Sequence, residues 1–324
     1  MKVLIIRFSS IGDIVLTFPV VTSLKEKFPN AHVSFLSKAS FIQLLSANKD
    51  IDYSHTYNGS LSDTRKWISN QKFDIIIDLH KNIRSISVSI LNGKRVYRFN
   101  KLNVRKKILT TFKLDTLPDL HVVDRYFESL KSLGLNQAIK RNPFSIPAGA
   151  HIDLKNIFNT VPERFFCIAL GAKFNTKKIP YELLVKIIDH INVPIALLGD
   201  SNDAKIGSKL LEAFSNKTIV NCAGGYSILQ SASILKQSDK LITGDTGLMH
   251  IASFFEIEIV SIWGNTTPKF GMYPYRNTKN SNDAIIERSD LKCRPCSKIG
   301  YDQCPKGHFN CMAHEPAEIM KFLG

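Results

Sequence analysis

No stretch of this 324-residue chain is apolar for the ~18–20 residues that a bilayer crossing requires. The apolar run between Lys2 and Arg7 is too short for the core of a secretory signal, so a cytoplasmic location is expected. Two glycine fingerprints are also missing. Neither G-x-G-x-x-G nor G-x-x-x-x-G-K-[ST] occurs, which argues against a dinucleotide-dependent oxidoreductase and a P-loop nucleotide hydrolase. Six cysteines in a chain this long make no disulfide framework, and a reducing compartment would keep them as thiols. Low-complexity tracts and internal repeats are absent. With 44% apolar and 22% charged residues the chain is neither disordered nor collagen-like. Its length suits two domains of ~100–200 residues.

Acid is scarce: 28 Asp+Glu stand against 43 Lys+Arg, a net charge of +15. The imbalance is local. Residues 1–155 hold 24 basic and 12 acidic side chains, whereas residues 156–324 hold 19 and 16. A basic half beside a near-neutral half expects an anionic partner for the first. The densest run, residues 94–107, carries Lys94, Arg95, Arg98, Lys101, Arg105, Lys106 and Lys107 with no acid. A solvated face explains it equally well. Only Tyr97 and Phe99 interleave with these charges, too few aromatics for a nucleic-acid platform, and no nucleic-acid partner is expected.

Short β-branched apolar runs alternate with amphipathic stretches. Strands are expected at residues 2–8, 32–37 and 73–79, then at 165–170, 194–198, 219–221, 240–243 and 258–263. Helices are expected at residues 14–28 and 41–47, and near 181–190, 204–214 and 247–255. A Pro-bearing segment at 142–149 separates the two sets. The fold class is therefore α/β, with two doubly wound parallel sheets, one over residues 1–155 and one over 156–324. Ligands in such sheets sit at the carboxyl ends of the strands.

Ser9-Ser10-Ile11-Gly12-Asp13 follows the first strand. Asp13 is either a helix N-cap or a general base held at a strand's carboxyl end. Residues 244–250 (GDTGLMH) follow the strand at 240–243 and open a helix, where backbone N–H groups can meet an anion. Asp245 is a cap or a ligand; Thr246 and Gly247 leave room for a phosphate, and His250 lies about one turn on. Lys173, Lys177 and Lys178 occupy the loop after the strand at 165–170, suited to a pyrophosphate or merely solvated. Asp200 and Asp203 follow the next strand and either reach a ribose or cap a helix. Asp50-Ile-Asp52 has metal-binding composition but reads as loop. Cys293, Cys296, Cys304 and Cys311, with His308, leave zinc open on spacing alone. Cys167 and Cys222 read as core.

In this order and spacing the motifs resemble glycosyltransferase family nine, the ADP-heptose:lipopolysaccharide heptosyltransferases, nearly end to end. RFSSIGD at 7–13 resembles the family's R-x-S-x-x-G-D and is followed by Pro19; DLHKNIRS at 78–85 is similar to D-L-Q-G-x-x-R/K-S. HVVDRY at 121–126 resembles the start of its interdomain helix, KKIP at 177–180 its K-x-W-P, and residues 244–250 its D-T-G-x-x-H. WGNTTP at 263–268 resembles F-G-P-T-x-P, and the Cys-bearing tail resembles the heptosyltransferase II branch. The departures are Ile179 for Trp, Lys173 beside the phosphate, and Lys81 for Gly.

That resemblance implies a GT-B fold, two Rossmann-like domains with a cleft, and a final helix at about 315–324 packing back on the first domain. It implies an inverting, metal-independent transferase with no cofactor, moving heptose from a nucleotide-sugar, expected to be ADP-heptose, to the lipopolysaccharide inner core. Another nucleotide-sugar and another cell-surface glycan are the alternative. Asp13 becomes the general base. Ser10, Gly12, Lys173, Lys177, Asp203, Asp245, Thr246, Gly247 and His250 fall to the donor. Arg84, Arg95, Arg98 and Arg105 fall to an anionic lipid-linked acceptor, met by a monomer peripherally bound at the inner leaflet.

Overall fold

The computed structural model describes residues 1–90, 95–276 and 282–323. Among these, β1 (Lys2–Ile6), β2 (His32–Lys38), β3 (Tyr53–Tyr57), β4 (Ile75–Asp78) and β5 (Arg95–Arg98) form a parallel sheet in the order β3-β2-β1-β4-β5. A second parallel sheet contains β6 (Phe166–Ala169), β7 (Ile195–Leu198), β8 (Ile219–Asn221), β9 (Lys240–Thr243), β10 (Glu258–Trp263) and β11 (Ala284–Glu287), ordered β11-β10-β9-β6-β7-β8. Each sheet is doubly wound.

The central strands are apolar over most of their length because helices cover both faces of a parallel sheet. Val3, Leu4, Ile5 and Ile6 are fully buried, as are Ile195, Ala196, Leu197 and Leu198. Burying each such side chain stabilises by roughly 1.5–3 kcal/mol. β3, β5 and β11 lack this signature. All three are edge strands with exposed or half-buried positions among any buried ones, and the basic β5 presents an edge unattractive to further strands.

The helix expected over 14–28 is two helices, Ile11–Val15 and Phe18–Lys27. Pro19 sits in the first turn of the second, where its missing N–H is tolerated and a new helix starts readily.

The chain divides into two compact units, but not by one cut at 155. The first comprises Met1–Leu102 and Leu120–Pro147, and the second Asn103–Asp119 and Ala148–Gly324. Residues 103–119 join the second unit, where Asp115 pairs with Lys269 at 2.6 Å and the Lys106 ammonium lies 5.4 Å from the Phe270 ring centroid. The last helix, Pro316–Met320, is a further correction. Ile319 and Leu323 enter the core of the second unit with Leu184 and Ile188, and the helix packs on Tyr181–Asp189.

Candidate functional site

In the first unit, functional groups gather where β1 and β4 end. Arg7, one residue beyond β1, is 6% exposed and donates through Nε to the Ser9 carbonyl and through one terminal nitrogen, at 2.5 Å, to the Leu79 carbonyl. Its other terminal nitrogen meets Asp13 Oδ1 at 2.5 Å. Asp13 Oδ2 accepts from Ser10 Oγ at 2.8 Å and from Ser10 N at 3.3 Å. Ser10, not Asp13, is the N-cap of this short helix; Asp13 is its third residue, and its side chain keeps 25% exposure. Ser10 is half-buried and Gly12 buried beside it.

His80, two residues past β4, was not among the expected site residues. Its ring leans on Phe8 with centroids 5.1 Å apart. Burial first, then the positive charge of Arg7 and Lys101, pushes its pKa down to about 3, so the imidazole is neutral. Asp78, fully buried, fixes this corner by accepting from the backbone of His80 and Lys81 and from Ser85 Oγ.

The four arginines expected at the acceptor differ in their surroundings. Arg84 is exposed on the helix Ile83–Ser89, and Arg95 is exposed on β5. Arg98 turns inward, its Nε 3.5 Å from Asp78 Oδ2 and its terminal nitrogen 2.6 Å from Ser89 Oγ. Arg105 lies in the second unit and donates to the Thr116 carbonyl at 3.2 Å. Arg98 is thus paired with a buried carboxylate, and Arg105 belongs to the second unit. Lys94 lies outside the described residues.

In the second unit, the loops after β6, β9 and β10 converge. Lys177 Nζ lies 2.6 Å from Asp245 Oδ2, which also accepts from Thr266 Oγ1 at 2.9 Å. Thr246 caps the helix Gly247–Ala252 by accepting from Met249 N, and its hydroxyl lies 2.9 Å from that of Thr243. Glycines permit this closeness. A Cβ on Gly244 would sit 2.1 Å from the Lys177 carbonyl oxygen, and one on Gly264 2.6 Å from that of Thr176. His250 is buried, and Lys173 is exposed above the Phe174 ring.

Asp203, expected among the donor residues, is engaged by the protein itself. It is 1% exposed; Oδ1 meets Lys178 Nζ at 2.9 Å and Oδ2 accepts from Asp200 N at 3.1 Å. It braces the loops after β6 and β7, where Gly171 and Gly199 leave room for it. Asn265, missed by the motif reading except as part of WGNTTP, is buried with neither amide atom in a hydrogen bond. Beside it Arg294 donates to the carbonyls of Gly264 and Thr266 and pairs with Glu287 at 2.6 Å.

The other candidates fall into structural places. Asp50 takes Thr22 and Arg141, and Asp52 takes Lys25 and Val33 N, so both are engaged by the protein itself. Burial pushes the Cys167 thiol up to about 12 and Cys222 to about 11. Cys293 Sγ lies 3.8 Å from His308 Nε2, and among the described residues no three His, Cys, Asp or Glu side chains form a metal-binding group. Ile179, the departure from Trp, is a core residue.

Comparison with known proteins follows this geometry. Residues 62–302 match glycosyltransferase family 9 (heptosyltransferase). The lipooligosaccharide heptosyltransferase 2 of Haemophilus influenzae is 22% identical, covering 93% of this chain and 93% of that protein. Among solved structures, the ADP-heptose lipopolysaccharide heptosyltransferase II of Escherichia coli superposes with a TM-score of 0.72 at 17% identity, over 100% of this chain and 97% of that one. An Escherichia coli heptosyltransferase with ADP-2-deoxy-2-fluoro heptose gives 0.68 at 17% identity, over 100% and 99%. These likenesses establish the GT-B fold, two Rossmann-like domains each built on a parallel sheet.

Proposed function

We propose, from the premise that this chain belongs to glycosyltransferase family 9 and is a glycosyltransferase, that it moves heptose from ADP-heptose to the lipopolysaccharide inner core with inversion. The relatives named for this activity support the reading, and the observation that carries it is Asp13. A partly exposed carboxylate, locked by Arg7 at the carboxyl end of β1, has the placement of a general base. Asp13 removes the proton from an acceptor hydroxyl as that oxygen attacks the anomeric carbon. The bond between that carbon and the phosphate oxygen breaks on the opposite face, and ADP leaves with the electron pair.

Residues of the second unit take the donor. Lys177, and Lys173 from the same loop, meet the diphosphate charge. Asp245 holds Lys177 in place until the diphosphate competes for it. Thr246, Gly247 and His250 line the same loop junction and are assigned to donor phosphate and sugar. Ser10 and Gly12 are assigned to the donor on the family resemblance alone. Arg84 and Arg95 remain the exposed arginines available to an anionic, lipid-linked acceptor.

Such an acceptor places the enzyme peripherally at the cytoplasmic face of the inner membrane, as a monomer without a cofactor. Among the described residues no helix is long and apolar enough to cross a membrane. The test is turnover of ADP-heptose on a heptose-deficient core acceptor, with GDP- and UDP-sugars as competitors. Selective stabilisation by the ADP-sugar, roughly 2.7 kcal/mol at a hundred times Kd, is the expected result. A GDP- or UDP-sugar that stabilises equally would overturn the donor assignment.

A further inference from the structure

Between Asp78 and Asp115 the sequence has no acidic residue. The helix Asn103–Phe112 lies in that interval, and its two sides differ sharply. One side is fixed to the second unit. Leu109 is buried, the Lys106 ammonium rests over the Phe270 ring, and just past the helix Lys113 Nζ donates to the Pro295 carbonyl at 2.8 Å while Asp115 pairs with Lys269. The other side is apolar and uncovered. Val104 is 74% exposed, Phe112 69% and Leu114, just beyond the helix, 62%.

Residues 104, 108 and 112 recur every fourth position, so Val104, the half-buried Ile108 and Phe112 form one stripe along the helix. Exposed Arg105 and Lys107 flank it on either side. Single exposed apolar residues need no explanation, but an aligned stripe with an aromatic end and basic flanks does. It stands on a helix surface held rigid from behind. A solvated basic face would carry polar residues at 104 and 112.

We infer that this face docks on an anionic lipid surface. Val104, Ile108, Phe112 and Leu114 enter the boundary between headgroups and acyl chains, and Arg105 and Lys107 meet lipid phosphates. Charge complementarity selects the occupant: the acid-free interval suits an anionic leaflet, and an in-plane helix with basic flanks is the form such surfaces bind. The inference rests on the proposed lipid-linked acceptor, because that acceptor must be reached at a membrane, and it names the surface that does so.

The experiment uses the full chain with sucrose-loaded vesicles of phosphatidylglycerol and phosphatidylcholine, against vesicles of phosphatidylcholine alone. Wild type should sediment with the anionic vesicles. V104S/F112S/L114S should lose on the order of tenfold or more in partition at every salt concentration. R105Q/K107Q should lose about fivefold per charge at low salt, the difference fading as ionic strength rises. These positions are exposed, and an unchanged melting temperature for the triple variant certifies its fold.

Equal sedimentation of the triple variant, or no preference of wild type for anionic vesicles, overturns the inference. So does a fall from dimer to monomer in gel filtration caused by the triple variant, which would make the stripe a contact between copies of this chain. Turnover on a soluble, deacylated acceptor keeps the two readings apart. The triple variant should match wild type there, and failure of both on that substrate would count against the activity and leave the vesicle result standing.

Discussion

Arg7 and Asp13 face each other at 2.5 Å, the arginine 6% exposed and the carboxylate side chain 25%. The pair joins two elements: Arg7 also donates to the Leu79 carbonyl beyond β4, so the orientation of Asp13 is set by the junction of two adjacent strands. A base held this way does not have to be ordered at the moment of reaction.

Asp13→Asn keeps an oxygen to accept from Ser10 but cannot take a proton. Turnover should fall about 10²–10⁴-fold while donor affinity, measured by calorimetry, stays near wild type. Stability should also fall, because Arg7 keeps its charge without its nearest counter-ion. Losing one partner of a fully buried pair costs about 3–5 kcal/mol, and less is expected here since Asp13 is partly solvated. Turnover within a few-fold of wild type would leave Asp13 with a structural role alone.

Lys177 has a similar test on the donor side. Lys177→Ala removes a charged donor worth roughly 1.5–3 kcal/mol, so donor Kd should rise about 10–150-fold. It also strands the Asp245 carboxylate, which is 9% exposed, with only Thr266 as its remaining side-chain partner among the contacts described. An unchanged donor Kd would show that the Lys177–Asp245 pair only supports the loop.

Gly244 and Gly149 make a matched pair of substitutions. A methyl group on Gly244 would meet the Lys177 carbonyl at 2.1 Å, backbone that cannot step aside, whereas Gly149 has nothing within 4 Å of the same position. Gly244→Ala should cost about 1–3 kcal/mol and weaken donor binding by displacing the Lys177 loop; Gly149→Ala should do neither. Urea titration with donor calorimetry decides it, and equal behaviour of the two variants would refute the close packing.

His80 gives a pH dependence. Its pKa, held at about 3 by burial and then by Arg7 and Lys101, lies below the ordinary 6.5 of an unfolded chain. The unfolded state therefore binds the proton first. Stability from this group is complete above pH 6.5 and is lost as pH falls toward 3, at up to about 1.4 kcal/mol per pH unit. Between pH 7 and pH 5 His80→Gln should flatten the stability profile by up to about 2 kcal/mol relative to wild type. Parallel profiles in urea denaturation across that range would contradict a buried neutral imidazole.

Activity should survive EDTA, since Lys177 and Lys173 are assigned the diphosphate charge that a divalent ion would otherwise meet. Loss of turnover on chelation, restored by added metal, would contradict that assignment.

Much of this was written in the sequence. Continuous apolar runs such as VLII and IALL marked the central strands, because a parallel strand is buried on both faces. Turn residues at their ends located Asp13, Lys177, Asp245 and Thr246. What the sequence left unspecified was whatever depends on a distant partner. The edge strands β3, β5 and β11 owe their conformation to a neighbouring ladder and carry no run of their own. Asp203 and Arg98 have the composition of ligands, yet one is held by Lys178 and the other by a carboxylate buried 20 residues earlier. Residues 103–119 interrupt the first unit in sequence but pack in the second, since the pairing of Asp115 with Lys269 exists only after the chain has folded. Local pattern decides which segments become strands and where their ends lie; long-range packing decides which charges are consumed and which remain to act.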